Sequence, residues 1–441
     1  MAKNPGIPTE EKIQGVRDRL SKAREKVDKL VQKKIDPVYY ELAGKVAEWA
    51  KDSNYIPWIL ELAMTVDQAK LAVRLPDQYR DPSWGREHLG VTEQFAKEMG
   101  LDTETADKHL KHMFDIGFVN PTRNGYQVTR GTQLIDGVHN NRKKNKELPI
   151  DDLLDMTWVW CEVEMQYYRD KAISTLKESG KEIVSEGMGM GMIRPRWKAI
   201  KDLPGVLPVE DFREVVKTKE RFAVLPCRCE QRARGHECGV PEDKCMLFDR
   251  GADIWVNRGA TGYITLKEIL DIYDSFGKYP LVNVGGNTAD VKEAGPGCVC
   301  HWDCCLAMTN YYTGGSEHKI TDWMQKSRFR ATVDPENCIG CRVCIDERCQ
   351  FGACQMKYYP EFGEERAYID EEKCMGCGCC VETCTVGVRG MKIVEPPDYF
   401  LKMGKARDEV VKRGTTETVN VETMIAVVER EKAEKEAKEK K

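Results

Sequence analysis

Cys338-Ile339-Gly340-Cys341-Arg342-Val343-Cys344 is followed by Cys349, and Cys374-Met375-Gly376-Cys377-Gly378-Cys379-Cys380 is followed by Cys384. Thiolates spaced two, two and then three or four residues apart fit the corners of an iron–sulfur cube. Two such runs in tandem, about thirty residues apart, are a far stronger signal than one. Structural zinc is the competing reading, but it prefers paired knuckles separated by longer loops. The runs therefore predict clusters that pass single electrons.

The remaining thiols are grouped in the same way. Of nineteen cysteines in 441 residues, fourteen lie between Cys298 and Cys384 and four between Cys227 and Cys245. Only Cys161 stands apart, and its expected role is that of a buried small hydrophobe. The N-terminal residues carry no apolar signal core, and no apolar run approaches a membrane span. In such a setting clustered thiols serve as metal ligands more often than as disulfides. The expectation is a cytoplasmic protein, and one from an anaerobe because exposed clusters are oxygen-labile. A net charge of −4 argues against bulk polyanion binding.

With those motifs in view, residues 333 to 395 resemble the bacterial two-cluster ferredoxin domain. In that family the first three cysteines of each run hold one cube and the fourth holds the other. The resemblance implies one [4Fe-4S] cluster on Cys338, Cys341, Cys344 and Cys384. A second would sit on Cys374, Cys377, Cys380 and Cys349. Gly340, Gly376 and Gly378 let backbone amides approach the sulfides. The first run departs from the family in having four residues before Cys349. The usual proline after the fourth cysteine is replaced by Gln350 and Thr385. Cys354 is an alternative to Cys349, although Gln350-Phe351-Gly352-Ala353 fits the family's turn after the cysteine. Cys379 breaks the spacing and is expected to be a spare thiol.

A second constellation precedes this segment. Cys227-Arg228-Cys229 is followed by Cys238 and Cys245, and later by Cys298-Val299-Cys300-His301-Trp302-Asp303-Cys304-Cys305. A CxC pair presents two thiolates on one side of an extended segment. These eight cysteines are candidate ligands of one or two further iron–sulfur clusters, with zinc as the alternative metal. His301 is placed beside the site as a hydrogen-bond donor behind the ligands, with direct ligation the alternative. His236 is a weaker candidate. Haem attachment is excluded, since it needs two residues between the cysteines before the histidine.

The fold class expected is α+β and multidomain. It comprises N-terminal helices (1–56), a winged-helix-like domain (57–145), and a linking helix with a Gly/Met joint (146–192). A cysteine-rich α/β domain (193–330), the ferredoxin-like domain (331–397) and a helical tail (398–441) follow. Ile13, Val16, Leu20, Ala23, Val27 and Leu30 form a short heptad seam on a helix capped by Thr9, suited to packing within the chain. Val91–Met99, a turn, a helix capped by Thr103, and a hairpin turning at Asn124-Gly125 make the winged pattern. From Arg86 to Arg130 six Lys/Arg face seven acids, a balance poorly suited to displacing counterions from DNA. Arg142, Lys143, Lys144 and Lys146 form the one basic cluster nearby. A helix is expected over residues 150–178, and Gly187–Met192 as a flexible joint.

This arrangement resembles iron–sulfur proteins of anaerobic bacteria and archaea whose role is mostly unassigned. It implies an electron-transfer protein or subunit serving a larger oxidoreductase complex, with a redox partner such as a flavoprotein. Twelve Asp/Glu against seven Lys/Arg from Val333 to Glu395 suit a basic patch on that partner. Two other readings stay open. One is a redox-sensing winged-helix regulator. The other is a reductase that binds substrate at a central cluster. No catalytic residue is assigned.

Overall fold

The structure is a computed structural model. It describes residues 7–46, 52–76, 87–88, 90–122, 125–128, 145–167, 170, 174, 191–233, 239–286, 288–295, 297–305, 308–314, 319–322 and 324–399. Among them no helix is long and apolar enough to cross a membrane.

The N-terminal part is helical. Helix α1 (Glu10–Leu30) starts at Thr9, whose hydroxyl accepts from the Lys12 amide, and Glu10 and Glu11 lie at the positive end of its dipole. Its stripe of Ile13, Val16, Ala23 and Val27 is buried within the chain, as the seam suggested. Helices α2 (Pro37–Val46), α3 (Ile56–Ala63) and α4 (Val66–Arg74) follow, the last begun by a Thr65/Gln68 capping box. Then come α5 (Glu93–Glu98), α6 (Thr103–Asp115) and the hairpin β1 (Val119–Thr122)–β2 (Gly125–Val128). The cap of α6 is Asp102 rather than Thr103: its carboxylate accepts from the Thr105 amide at 2.8 Å, and Thr103 is already helical. An ionised carboxylate outcompetes a hydroxyl as a cap one residue earlier. Asn124 and, of the basic cluster, Arg142, Lys143 and Lys144 lie outside the described residues.

Helix α7 (Ile150–Trp160) packs along α1, where Lys26 reaches Asp152 at 2.8 Å and Asp155 at 2.7 Å. The single long helix expected over 150–178 changes at Cys161, where a π-turn (Cys161–Met165) inserts one extra residue per turn.

The central part is a six-stranded sheet. Its strands are β3 (Gly191–Arg194), β4 (Phe222–Pro226), β5 (Asp243–Phe248), β6 (Val282–Gly285), β7 (Cys298–Cys300) and β8 (Met324–Gln325). Their spatial order is β4-β5-β7-β6-β3-β8, antiparallel except for β3 beside β8. Gly191 and Met192 belong to β3 rather than to a joint, because Met192 pairs with Gly285 and Gln325 from distant segments; residues 187–190 lie outside the described ones. Four short helices lie between its strands in sequence: α8 (Trp197–Ile200), α9 (Phe212–Lys217), α10 (Arg228–Ala233) and α11 (Arg250–Asn257), the last packed on β4 and β5. Helix α12 (Leu266–Ser275) opens with the expected Thr265 cap, here a capping box with Glu268. Helix α13 (Thr309–Thr313) follows β7. From the end of α11, the buried Arg258 donates to the carbonyls of Phe114 and Val119 and to Asn120 Oδ1, so it ties the back of α6 and β1 to the central part.

The C-terminal part has two antiparallel pairs, β9 (Phe329–Val333) with β12 (Arg389–Ile393), and β10 (Cys354–Tyr359) with β11 (Glu364–Ile369). A π-turn (Cys344–Arg348) ends the first cysteine run, and α14 (Cys379–Glu382) ends the second. This part is fixed to the central sheet by buried polar contacts. Arg196 meets Glu382 at 2.7 Å, its amide donates to the Cys377 carbonyl at 2.9 Å, and Arg328 meets Glu210 at 2.9 Å. Losing one member of such a buried pair costs about 3–5 kcal/mol, since a charge is left without its counter-ion.

Candidate iron–sulfur sites

The two cysteine runs ring two clefts. The first cleft, open to solvent, has about 380 Å³ of empty space, and Cys338, Cys341, Cys344, Cys380 and Cys384 stand at its wall. The second, also open to solvent, has about 320 Å³ of empty space and is walled by Cys349, Cys354, Cys374, Cys377 and Cys380. The three leading thiols of the first run thus share their cleft with Cys380 and Cys384, those of the second run share theirs with Cys349 and Cys354, and Cys380 lies at both walls. Pairing of β9 with β12 brings the ends of the segment together. Among the described residues, no three Cys, His, Asp or Glu side chains converge as ligands of a single ion would.

Backbone geometry at the second cleft depends on glycine. Gly376 has φ +72°, and a Cβ there would overlap Ser327 Oγ and the Phe329 carbonyl. Amides point at the sulfurs as the chemistry of a thiolate-bound cube requires. Cys349 Sγ accepts from the amides of Ala353 at 3.2 Å and Cys354 at 3.4 Å, and Cys374 Sγ accepts from the Ala331 amide at 3.4 Å. The Cys354 thiol donates to Cys349, and with those amides it outweighs burial and pulls the Cys349 thiol down to about 6. Cys344 is the alternative acceptor of the same Cys354 S–H, and it is pulled down to about 7 by that contact and by Arg389. Cys354 itself is pushed well up by its thiol neighbours Cys344, Cys349 and Cys380. Cys354 thus sits between thiols of both clefts, while Cys349 has backbone amides as well as a thiol directed at its sulfur.

Sequence reasoning missed Arg389. Its buried guanidinium donates to Cys344 Sγ at 2.8 Å and to Cys354 Sγ at 3.5 Å. Burial weakens its charge, but the neighbouring thiols of Cys354, Cys380 and Cys344 outweigh that and hold it on.

The two clefts differ in exposure. Cys341 is exposed, and beside it Ile339 and Val386 are 61% and 43% exposed. The second cleft faces the central sheet. Gln350, in place of the family's proline, takes a bond from the Trp302 amide at 2.6 Å and donates to the Cys300 carbonyl at 3.3 Å and to the Pro280 carbonyl. Tyr312 donates to the Gln350 carbonyl. Cys379, expected to be spare, is buried and donates to the Leu281 carbonyl at 3.3 Å.

The central cysteines come together as well. Cys245 on β5 stands opposite Cys298 on β7, and Cys300 lies two residues along the same strand face. Cys300 is hydrogen-bonded to both Cys298 and Cys305. Cys227, just past β4, bonds to Cys229 on α10 and has Lys244 and Cys304 as close electrostatic neighbours. Lys244 is buried against Glu230 and the Pro241 carbonyl; burial opposes its charge, but Cys227, Cys304 and Glu230 raise its pKa. His301 is fully buried: Nδ1 faces Asp303 at 2.6 Å, and Nε2 has no hydrogen-bond partner among the described residues. Cys238 and His236 lie outside the described residues.

Cys161 is buried, as expected, but it is not among apolar groups alone. Arg232 on α10 donates one guanidinium nitrogen to Cys161 Sγ and the other to Cys229 Sγ, both at 3.5 Å. No spacing in the sequence signals this neighbour, which the packing of α7 on α10 creates.

Comparison with known proteins bears on the C-terminal part. No curated protein and no solved structure matches the chain. Residues 337–388 match the 4Fe-4S dicluster domain family, so this chain contains an iron–sulfur, ferredoxin-like domain that embraces both cysteine-walled clefts.

Proposed function

We propose that this chain is an electron-transfer protein that relays single electrons between a redox partner and a central cysteine-held centre. The observation that carries this reading is the Gln350 bracket. It joins the residue after Cys349 to the backbone at Cys300 and Trp302, so hydrogen bonds link the second cleft to the segment that carries the central cysteines. In this reading Cys338, Cys341, Cys344 and Cys384 hold one [4Fe-4S] cube, and Cys374, Cys377, Cys380 and Cys349 hold another. Further iron–sulfur ligands come from the central cysteines. The cubes supply one-electron chemistry; the chain supplies burial, amide donors and spacing.

The exposed rim at Ile339, Cys341 and Val386 is the entry face. A flavoprotein or another member of an oxidoreductase complex docks there, guided by the acidic balance of the domain. The second cube and then the central centre follow inward.

Anaerobically purified full-length chain is the test. About eight irons belong to the ferredoxin-like domain, with about four or more beyond them in the central part. Cys341→Ser and Cys377→Ser each remove a different paramagnetic signal. Cys349→Ala costs a cluster, whereas Cys354→Ala spares both. Total iron of about four or less, or stoichiometric zinc in place of the central iron, overturns the corresponding part of this reading.

A further inference from the structure

The central thiols fall into two groups. In one, Arg232 spans Cys161 and Cys229 with the two arms of its guanidinium, Cys229 bonds to Cys227, and Cys227 neighbours Cys304. In the other, Cys245 faces Cys298 across the sheet, and Cys300 bonds to Cys298 and Cys305. Adjacent Cys304 and Cys305 thus divide between the groups, which suits neighbours that cannot both turn toward one metal centre. Among the described residues each group has four sulfurs; Cys238 lies outside them.

The first group also has the electrostatics of a cluster site. Two buried cations border it, Arg232 at Cys161 and Cys229, and Lys244, which also pairs with Glu230, at Cys227 and Cys304. A cube with four thiolates is an anion, and burying it demands such compensation. Cys161 occupies the first position of a π-turn, a distortion that recurs at functional sites because it redirects side chains at a cost to the helix. A merely apolar thiol would need neither the turn nor a guanidinium donor.

We propose that Cys161 is the fourth ligand of an iron–sulfur site formed with Cys227, Cys229 and Cys304, and that Cys245, Cys298, Cys300 and Cys305 hold a neighbouring one. The proposal rests on the reading that the central part binds iron–sulfur clusters, and it assigns Cys245 to a different centre from Cys227 and Cys229.

The experiment compares wild-type, Cys161→Ala, Cys229→Ala, Cys238→Ala, Cys245→Ala and the Cys161/Cys229 double variant as anaerobic full-length chains, by iron analysis and electron paramagnetic resonance. Wild type carries about sixteen irons if both sites hold cubes. Cys161→Ala loses the same signal as Cys229→Ala, or converts it to a three-iron form, and the double variant loses no other signal. Cys245→Ala loses a different one. Persistence of both ferredoxin signals reports that each variant is folded. Full iron and unchanged signals in Cys161→Ala overturn the proposal, as does loss of the Cys229-dependent signal in Cys238→Ala with Cys161→Ala intact. A wild-type chain with only about eight irons fails the underlying reading instead, before any variant is made.

Discussion

Removing the charge of Arg389 lowers the potential of the cluster in the first cleft. The guanidinium lies 2.8 Å from Cys344 Sγ, which sets it about 6 Å from the centre of a cube bound there. At an effective dielectric constant of about 20, one unit charge at that distance stabilises one added electron by about 3 kcal/mol. For a one-electron couple, at 59 mV per tenfold change, this corresponds to about 130 mV. Arg389→Met therefore shifts the midpoint downward by about that much, while Arg389→Lys, which keeps the charge, shifts it by well under half. The assay is an anaerobic redox titration followed by electron paramagnetic resonance, with the signal assigned by its loss in Cys341→Ser. Iron content shows that the cluster is still assembled. A shift below about 20 mV, or an upward one, with iron intact would refute the electrostatic reasoning.

Two further outcomes follow from other parts of the structure. Gly376→Ala should lose the second cluster and keep the first, because its Cβ overlaps Ser327 Oγ and the Phe329 carbonyl; Gly363→Ala, with φ +68° and open space around it, should cost only about 1–2 kcal/mol in a denaturant titration and no iron. Selection of random duplexes by the full chain at moderate salt should return no enriched motif, given the charge balance from Arg86 to Arg130; a motif whose binding depends on Lys108 or Lys111 would instead favour a regulator.

Much of the C-terminal site was legible because its information is local. Two, two and three or four residues between cysteines fix which thiols one loop can present, and the tandem runs predicted both clefts. Helix starts at Thr9 and Thr265 were legible for the same reason, since a cap acts within three residues. What was not legible depends on contacts between distant segments. Cys161 looked isolated because its partners, Arg232 and Cys229, lie about seventy residues away and meet it only when α7 packs on α10. Gly191 and Met192 looked like a joint because their pairing partners lie on β6 and β8. Gln350 and Cys379 were visible as departures from the ferredoxin pattern. Their physical use, as donors to the central carbonyls of Cys300, Pro280 and Leu281, required the second domain to be in place.

The relay itself is tested most directly by magnetic coupling in the fully reduced, anaerobic full-length chain. The Gln350 bracket holds the second cleft against Cys300, so the reduced spectrum should contain an interaction beyond that between the two ferredoxin cubes. Cys300→Ser should abolish this extra interaction and leave the ferredoxin pair intact. A wild-type spectrum that is only the ferredoxin pair plus independent signals, unchanged in pattern by Cys300→Ser, would contradict an electron path from the ferredoxin-like domain into the central cysteines.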